Sequence, residues 1–364
     1  MEIAVPGARL TRARSIPWRW VAATLTLVAV LAVPILVVAT GVFRPAGPAW
    51  DHVAGTLLSA YLRNTAVLVL GAGGLALALG VGTAWLVTMT EFPGRRLFAW
   101  ALVLPLAVPA YMAAYTYAGM LDVTGPVQKL VRMVVPGAGD AFLYWNVMRI
   151  EVVAVIFAVV LYPYVFLLTR TLFERRSGSV IEAARLLGRS GWSVFFRVGL
   201  PLARPAIVGG VALVLMEVLN DYGAVKYYGV PTFTTGIFRA WFSLGDLDTA
   251  VRLSAILMVI VLVLLVLERW QRGGARYNDV GRSGPASRYP LRGVRAAGAT
   301  LFCAVPLALG FVLPVLQLGA WTWRTGPAVV DTGFLVMAAN SFGLAGGAGM
   351  LAVVADGPEA VDVL

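Results

Sequence analysis

Runs of about twenty apolar residues recur along this chain of 364, and they leave few folds open. Seven complete runs occupy residues 18 to 43, 65 to 89, 97 to 121, 152 to 172, 206 to 229, 250 to 268 and 298 to 320, and an eighth begins near 335. Each is long enough for a helix to cross the hydrocarbon of a bilayer, where the backbone has to bond to itself. The predicted fold class is all-α, a polytopic transmembrane helical bundle of about seven to eight spans. With 60% apolar residues, 13% charged residues and a mean hydropathy of +0.83, the chain lies outside the usual range of soluble domains.

Basic loops stay in the cytoplasm, so the positions of Lys and Arg predict orientation. Four basic residues stand at the N-terminus (Arg9, Arg12, Arg14 and Arg19), two at 95 and 96, seven between 170 and 204 and seven between 269 and 295; these make twenty of the 29 in the chain. The N-terminus is therefore expected in the cytoplasm of a multi-pass inner-membrane protein. The net charge of +11 borders membrane spans, with no soluble domain to present it as a groove, so nucleic acid is excluded as a partner and the lipid bilayer is the expected one. The first run is too long for a signal-peptide core and reads as a retained span. The single cysteine, Cys303, permits no intramolecular disulfide.

The second span opens Asn64-Thr65-Ala66-Val67-Leu68-Val69-Leu70-Gly71-Ala72-Gly73, and the eighth opens Asn340-Ser341-Phe342-Gly343-Leu344-Ala345-Gly346-Gly347-Ala348-Gly349. Each follows a span with a comparably placed proline, Pro34 or Pro314. Small apolar residues alone can generate such likeness, but the shared polar start and Gly-Ala-Gly predict an internal repeat. On this reading residues 1–17 are a cytoplasmic tail and 18–271 a first repeat of six spans with a cytoplasmic loop at 174–205. Residues 272–297, rich in Gly, Ser, Pro and Arg, are a linker, and 298–364 begin a second, truncated repeat. Beyond Val354 the likeness ends, because Asp356, Glu359 and Asp362 with Pro358 replace the apolar continuation. The expectation is a truncated or frame-shifted form of a longer two-copy protein.

Within the 174–205 loop stands Glu182-Ala183-Ala184-Arg185-Leu186-Leu187-Gly188, with Gly199-Leu200-Pro201 at its end. Ile181, Ala184, Leu187, Trp192, Phe195 and Phe196 offer an apolar face, and Gly188 and Gly191 permit a reversal, so a helix-turn-helix along the membrane surface is predicted. Two readings fit: an amphipathic hairpin anchored among headgroups, or a docking element for another protein.

Glu-Ala-Ala, then Gly four residues after the second Ala, then Leu-Pro, is similar to the coupling loop of ABC importer permeases. Leu104-Pro105-Leu106-Ala107-Val108-Pro109-Ala110-Tyr111, Gly125-Pro126-Val127-Gln128 and the segment from Tyr228 to Trp241 resemble the ferric-iron members of that family. The resemblance implies a MetI-like type I permease fold. It implies that Glu182, Ala183, Ala184, Gly188, Leu200 and Pro201 dock on a pair of ATP-hydrolysing subunits, and that an extracytoplasmic iron-binding protein delivers ferric iron. Family members are two fused copies with a coupling loop in each; this chain shows one loop, which implies a second permease copy from elsewhere. The only lysines, Lys129 and Lys226, follow Gln128 and Val225, so the Gly-Lys-Ser/Thr of a phosphate-binding loop is missing. The chain is therefore expected to be a transporter subunit with no enzymatic activity and no cofactor of its own; ATP and Mg belong to the partner.

Ionisable groups within a span are costly and point to function. In the fifth span Glu217 and Asp221 are four apart with Asn220 between them, so all three are expected on one helix face, with Tyr222 beside it. Ferric ion prefers carboxylate and phenolate oxygens, which adds Tyr111 and Tyr115 as candidates for the translocation path. The competing reading makes Glu217, Asn220 and Asp221 polar links between helices and Tyr111 and Tyr115 packing or interfacial aromatics. No set of metal ligands is assigned. Between Pro231 and Asp246, on the outer side, Arg239 and Trp241 are candidates for contact with the binding protein. Permeases for thiamine, sulfate or a polyamine, a nonfunctional truncated fragment and a membrane enzyme are the alternatives; the last lacks a reactive constellation, since His52 and Cys303 stand alone in the sequence.

Overall fold

The apolar runs form helices, and a computed structural model describes them over residues 18–45, 47–134, 147–176, 178–189, 191–272, 288–329 and 331–356. The expected tail at 1–17, residues 273–287 of the expected linker and residues 357–364 lie outside the described residues. Among the described residues, seven helices are long and apolar enough to cross a membrane, or eight if one bent pair is a single span. That pair, Arg95–Ala107 and Ala110–Val134, turns through 89° where one straight span was expected. Pro105 and Pro109 explain the break: each lacks an amide donor, and Pro109 disfavours helical backbone at Val108, which is extended.

By contact the chain divides into Met1–Ala66 with Val230–Gly273, and Val67–Gly229 with Gly274–Leu364. In the first unit Val53, Tyr61, Phe233, Ala240, Ala250 and Leu253 form a buried cluster. Asp246 closes it from the loop side, accepting hydrogen bonds from the amides of Ala49 and Thr249, both at 2.9 Å, and from the Thr249 hydroxyl at 2.8 Å. Asn64 donates to the Pro231 carbonyl at 2.9 Å, tying the long Leu58–Met89 helix to the segment that leads into the short helix Phe233–Phe238. Arg252 lies over the Trp50 ring and donates to the Arg44 carbonyl at 2.8 Å.

The second unit is built around Ile150–Arg176, whose apolar window is 72% buried. Its neighbours approach closely because they present glycine: a Cβ on Gly80 would stand 2.6 Å from the Val165 side chain, and one on Gly210 would stand 2.7 Å from the Val165 backbone. Between membrane helices, where lipid is as apolar as leucine, such close backbone packing supplies most of the attraction. Val294–Leu307 and Leu313–Val329 are joined by a π-turn, Ala308–Val312. At this turn the Tyr117 hydroxyl donates to the Leu309 carbonyl oxygen. Gly310 fits there because any Cβ would strike the Val159 carbonyl. A two-residue parallel strand pair joins Thr90–Glu91 to Tyr289–Pro290.

Candidate functional site

Two features of the second unit carry functional geometry. The first is the loop at 174–205. Glu182, Ala183 and Ala184 lie on a helix, Gly178–Leu186, that ends in a left-handed glycine cap. Gly188 has φ +76° and donates its amide to the Arg185 carbonyl at 2.9 Å, while Arg189 donates to Ala184 at 3.3 Å. These are the two bonds of the common helix C-cap, in which only glycine adopts the left-handed backbone at little cost. The spacing from the second alanine to Gly188 is thus the distance from the first orphan carbonyl to the residue that turns the chain. Gly191 needs no positive φ.

The expected single apolar face divides in two. Ile181 and Val194 are fully buried, and Phe195 packs edge-on against Trp85, which also meets Phe173. Leu186 and Leu187 are 89% and 83% exposed, and Trp192 and Phe196 are exposed beside them. A helix only two turns long cannot turn every apolar residue inward, so part of the set faces out. Leu200 and Pro201 open the following helix, Leu200–Asn220, where a missing proline amide costs little. Gly199 seats that junction, since a Cβ there would come within 2.6 Å of the Trp85 ring. Arg185 lies 4.7 Å over the Tyr289 ring.

The second feature is a cavity of about 360 Å³ lined by Glu217, Asn220, Asp221, Tyr222 and Tyr111, five of the six residues expected in a path. They reach it differently from the expectation. The helix ends at Asn220, and Asp221 is extended with ψ 131°. Its carboxylate accepts the amides of Ala224 at 2.9 Å and Val225 at 3.3 Å, starting the short helix Gly223–Tyr227. Aspartate competes in this way for backbone donors, which stops the fifth span nine residues before the expected end at 229. Gly223 lets this turn ride on Tyr111, with a Cβ contact of 2.8 Å if one were present. Tyr164 was not anticipated. It stands in the same lining with its hydroxyl 3.5 Å from Glu217 Oε1, and Tyr162-Pro163-Tyr164 was the signal, a polar-tipped pair inside an apolar span. Lys226 lies outside the lining, 5.0 Å over the Tyr222 ring.

Tyr115 does not join the cavity; its ring packs against Tyr227 at 5.5 Å and Trp321 at 5.6 Å. At the end of the same helix Asp122 accepts hydrogen bonds from the Thr124 amide and hydroxyl. Among the described residues no group of three or more His, Cys, Asp and Glu side chains could hold a metal. In the first unit Arg239 and Trp241 lie on a π-turn, both exposed, and Trp241 stacks on Phe242 at 4.8 Å.

No family model matches the chain. A molybdenum transport system permease protein, ModB of Escherichia coli, is 30% identical over 230 residues, which cover 61% of this chain and 93% of that protein. The chain belongs to the permease subunits of ABC transporters. Such subunits are not themselves enzymes. The permease is also 26% identical over 300 residues to the Fe(3+)-transport system permease protein FbpB 2 of Haemophilus influenzae, covering 80% of this chain and 54% of that protein. It thus spans about half the length of that relative. It is 32% identical over 172 residues to the sulfate transport system permease protein CysT of Escherichia coli, covering 47% of this chain and 56% of that protein. Among solved structures, a chain of a bacterial alginate ABC transporter, in complex with an alginate pentasaccharide-bound periplasmic protein, matches with a TM-score of 0.56 at 14% identity. The match covers 70% of the permease and 94% of that chain, a likeness of fold.

Proposed function

We propose that this permease forms a translocation path for ferric iron in the bacterial inner membrane, driven by a separate ATPase pair and supplied by an extracytoplasmic iron-binding protein. The observation that carries the substrate is the cavity at Glu217. It presents two carboxylates and the phenols of Tyr111, Tyr164 and Tyr222, and among the described residues no Lys, Arg or His lines it. Hard oxygen donors of this kind suit a trivalent cation, whereas molybdate or sulfate would meet like charge. The relatives include permeases for iron, molybdenum and sulfate, and among these the oxygen donors of the cavity support iron.

Energy enters through the loop at Glu182. Its exposed Leu186, Leu187 and Trp192 form an apolar surface suited to docking in a cleft of the ATPase, and the glycine cap at Gly188 fixes its outline. Delivery falls to the exposed aromatic patch around Arg239 and Trp241. ATPases of this class work in pairs, so a second permease copy completes the assembly.

Uptake by cells depending on this permease tests the substrate directly, with labelled ferric iron, molybdate and sulfate assayed side by side. Iron uptake is expected to fall on Glu217→Gln and Asp221→Asn at unchanged membrane abundance. Permease-dependent molybdate or sulfate uptake, or full iron uptake in both variants, would overturn the reading.

A further inference from the structure

A second cavity, about 1460 Å³, borders the docking loop at Trp192, Leu200 and Pro201 and is separate from the lining of the proposed translocation path. It lies wholly within the second unit, between the end of the Leu58–Met89 helix, the hinge at Gly191–Gly199, the start of Leu200–Asn220 and the start of Val294–Leu307. Leu77, Val81, Phe195 and Phe302 give it apolar walls. Gly74 and Gly298 keep it wide, since a Cβ on either would meet nothing within 4 Å. Three arginines, Arg185, Arg204 and Arg295, also line it, and among the described residues no carboxylate does. Arg185 is held over Tyr289, which pairs with Thr90 just past the Leu58–Met89 helix; Arg204 is the fifth residue of Leu200–Asn220 and Arg295 the second of Val294–Leu307. The charge therefore gathers at the end of the cavity where these elements begin or stop.

An apolar cavity between helices long enough to cross a membrane, with guanidinium groups in its lining, matches one kind of molecule. We propose that the cavity holds a single anionic phospholipid, its acyl chains along the apolar walls and its phosphate among the three arginines. Guanidinium is suited to phosphate because its fork bonds two oxygens at once, and basic pockets between membrane helices recognise acidic headgroups in this way. A zwitterionic lipid would bring its own cation to the same arginines. The bound lipid would touch both the Trp192–Phe195 hinge and Arg185, placing it against the base of the docking loop.

The full chain, purified and delipidated in detergent, is titrated with phosphatidylglycerol or phosphatidylcholine of identical acyl chains, and bound lipid is counted by native mass spectrometry. One phosphatidylglycerol per chain is expected, bound about a hundredfold more tightly than phosphatidylcholine. Arg204→Gln combined with Arg295→Gln weakens the anionic lipid by about fivefold per charge, roughly 1 kcal/mol apiece, and leaves phosphatidylcholine unaffected. Gly74→Leu combined with Gly298→Leu, which fills open space, removes both lipids while the thermal midpoint in detergent holds. Equal affinity for the two lipids, or an arginine pair without effect, would overturn the proposal. So would displacement by glycerol phosphate alone at the same concentration, which marks a free-anion site. A two-chain mass that the leucine pair returns to one would make a second copy the occupant instead.

Discussion

Gly188 offers a perturbation of the docking loop that acts through the backbone alone. Its φ is +76°, and a Cβ built on it meets nothing within 4 Å, so Gly188→Ala introduces no clash. What it introduces is left-handed backbone for an L residue, about 1–2 kcal/mol. Part of the effect also comes from the unfolded chain, where alanine has fewer conformations to lose than glycine and offsets about 0.4–1 kcal/mol. A net penalty of about 1 kcal/mol falls on a cap whose neighbours Leu186 and Leu187 are almost wholly exposed, and such segments open locally at little free energy. The docking-competent fraction then drops and the apparent Kd for the ATPase subunit rises by about three- to tenfold. Asparagine tolerates left-handed backbone better, so Gly188→Asn is expected to fall between glycine and alanine. The assay is binding of purified ATPase subunit to the permease in nanodiscs, with thermal unfolding of the bundle as control. Equal binding by all three residues, or loss of binding only in step with bundle stability, would refute the reasoning.

Three further outcomes follow from the packing. Gly210→Ala drives a methyl into the Val165 backbone and should lower bundle stability by about 1–3 kcal/mol, read as a lower thermal midpoint in detergent, while Gly343→Ala, open on the surface, should not. Burial alone would raise the Asp246 carboxyl, but the amides of Thr249 and Ala49 and the Thr249 hydroxyl outweigh it and hold the group below the ordinary aspartate range. Since its folded pKa is depressed, the stability it lends is present at neutral pH and is lost as pH falls through that lowered value; hydrogen exchange at the Ala49 and Thr249 amides should quicken there, and Asp246→Asn should remove the step. Tyr289→Ala frees Arg185 from its ring and should cost about 0.5–1 kcal/mol of loop order, seen as weaker ATPase affinity that Tyr289→Phe restores.

The sequence reading reached the spans because hydrocarbon imposes one requirement on all of them, and length with apolarity meets it without reference to neighbours. The helix and turn at Glu182–Gly188 were legible for a related reason: the step from Ala184 to Gly188 is a local cap geometry that the chain dictates within six residues. What was not legible depends on partners distant in sequence. Pro105 and Pro109 announced a weakness in the third span, yet the 89° turn is a property of the packed unit. The break at Asp221 set a helix propensity against a side chain that bonds two amides further along, and the side chain prevailed. Tyr164 reaches Glu217 from another span, and the π-turn at Gly310 answers to the Val159 carbonyl, so neither could be read from its own neighbourhood.

Site-specific photo-cross-linking in membranes of cells that hold the whole transporter tests the central claim, a permease that meets an ATPase through one surface and a binding protein through another. A cross-linker at the exposed Leu187 is predicted to capture the ATPase subunit and one at Trp241 to capture the extracytoplasmic binding protein. Capture of the ATPase from Trp241, or of neither partner from Leu187, would contradict it.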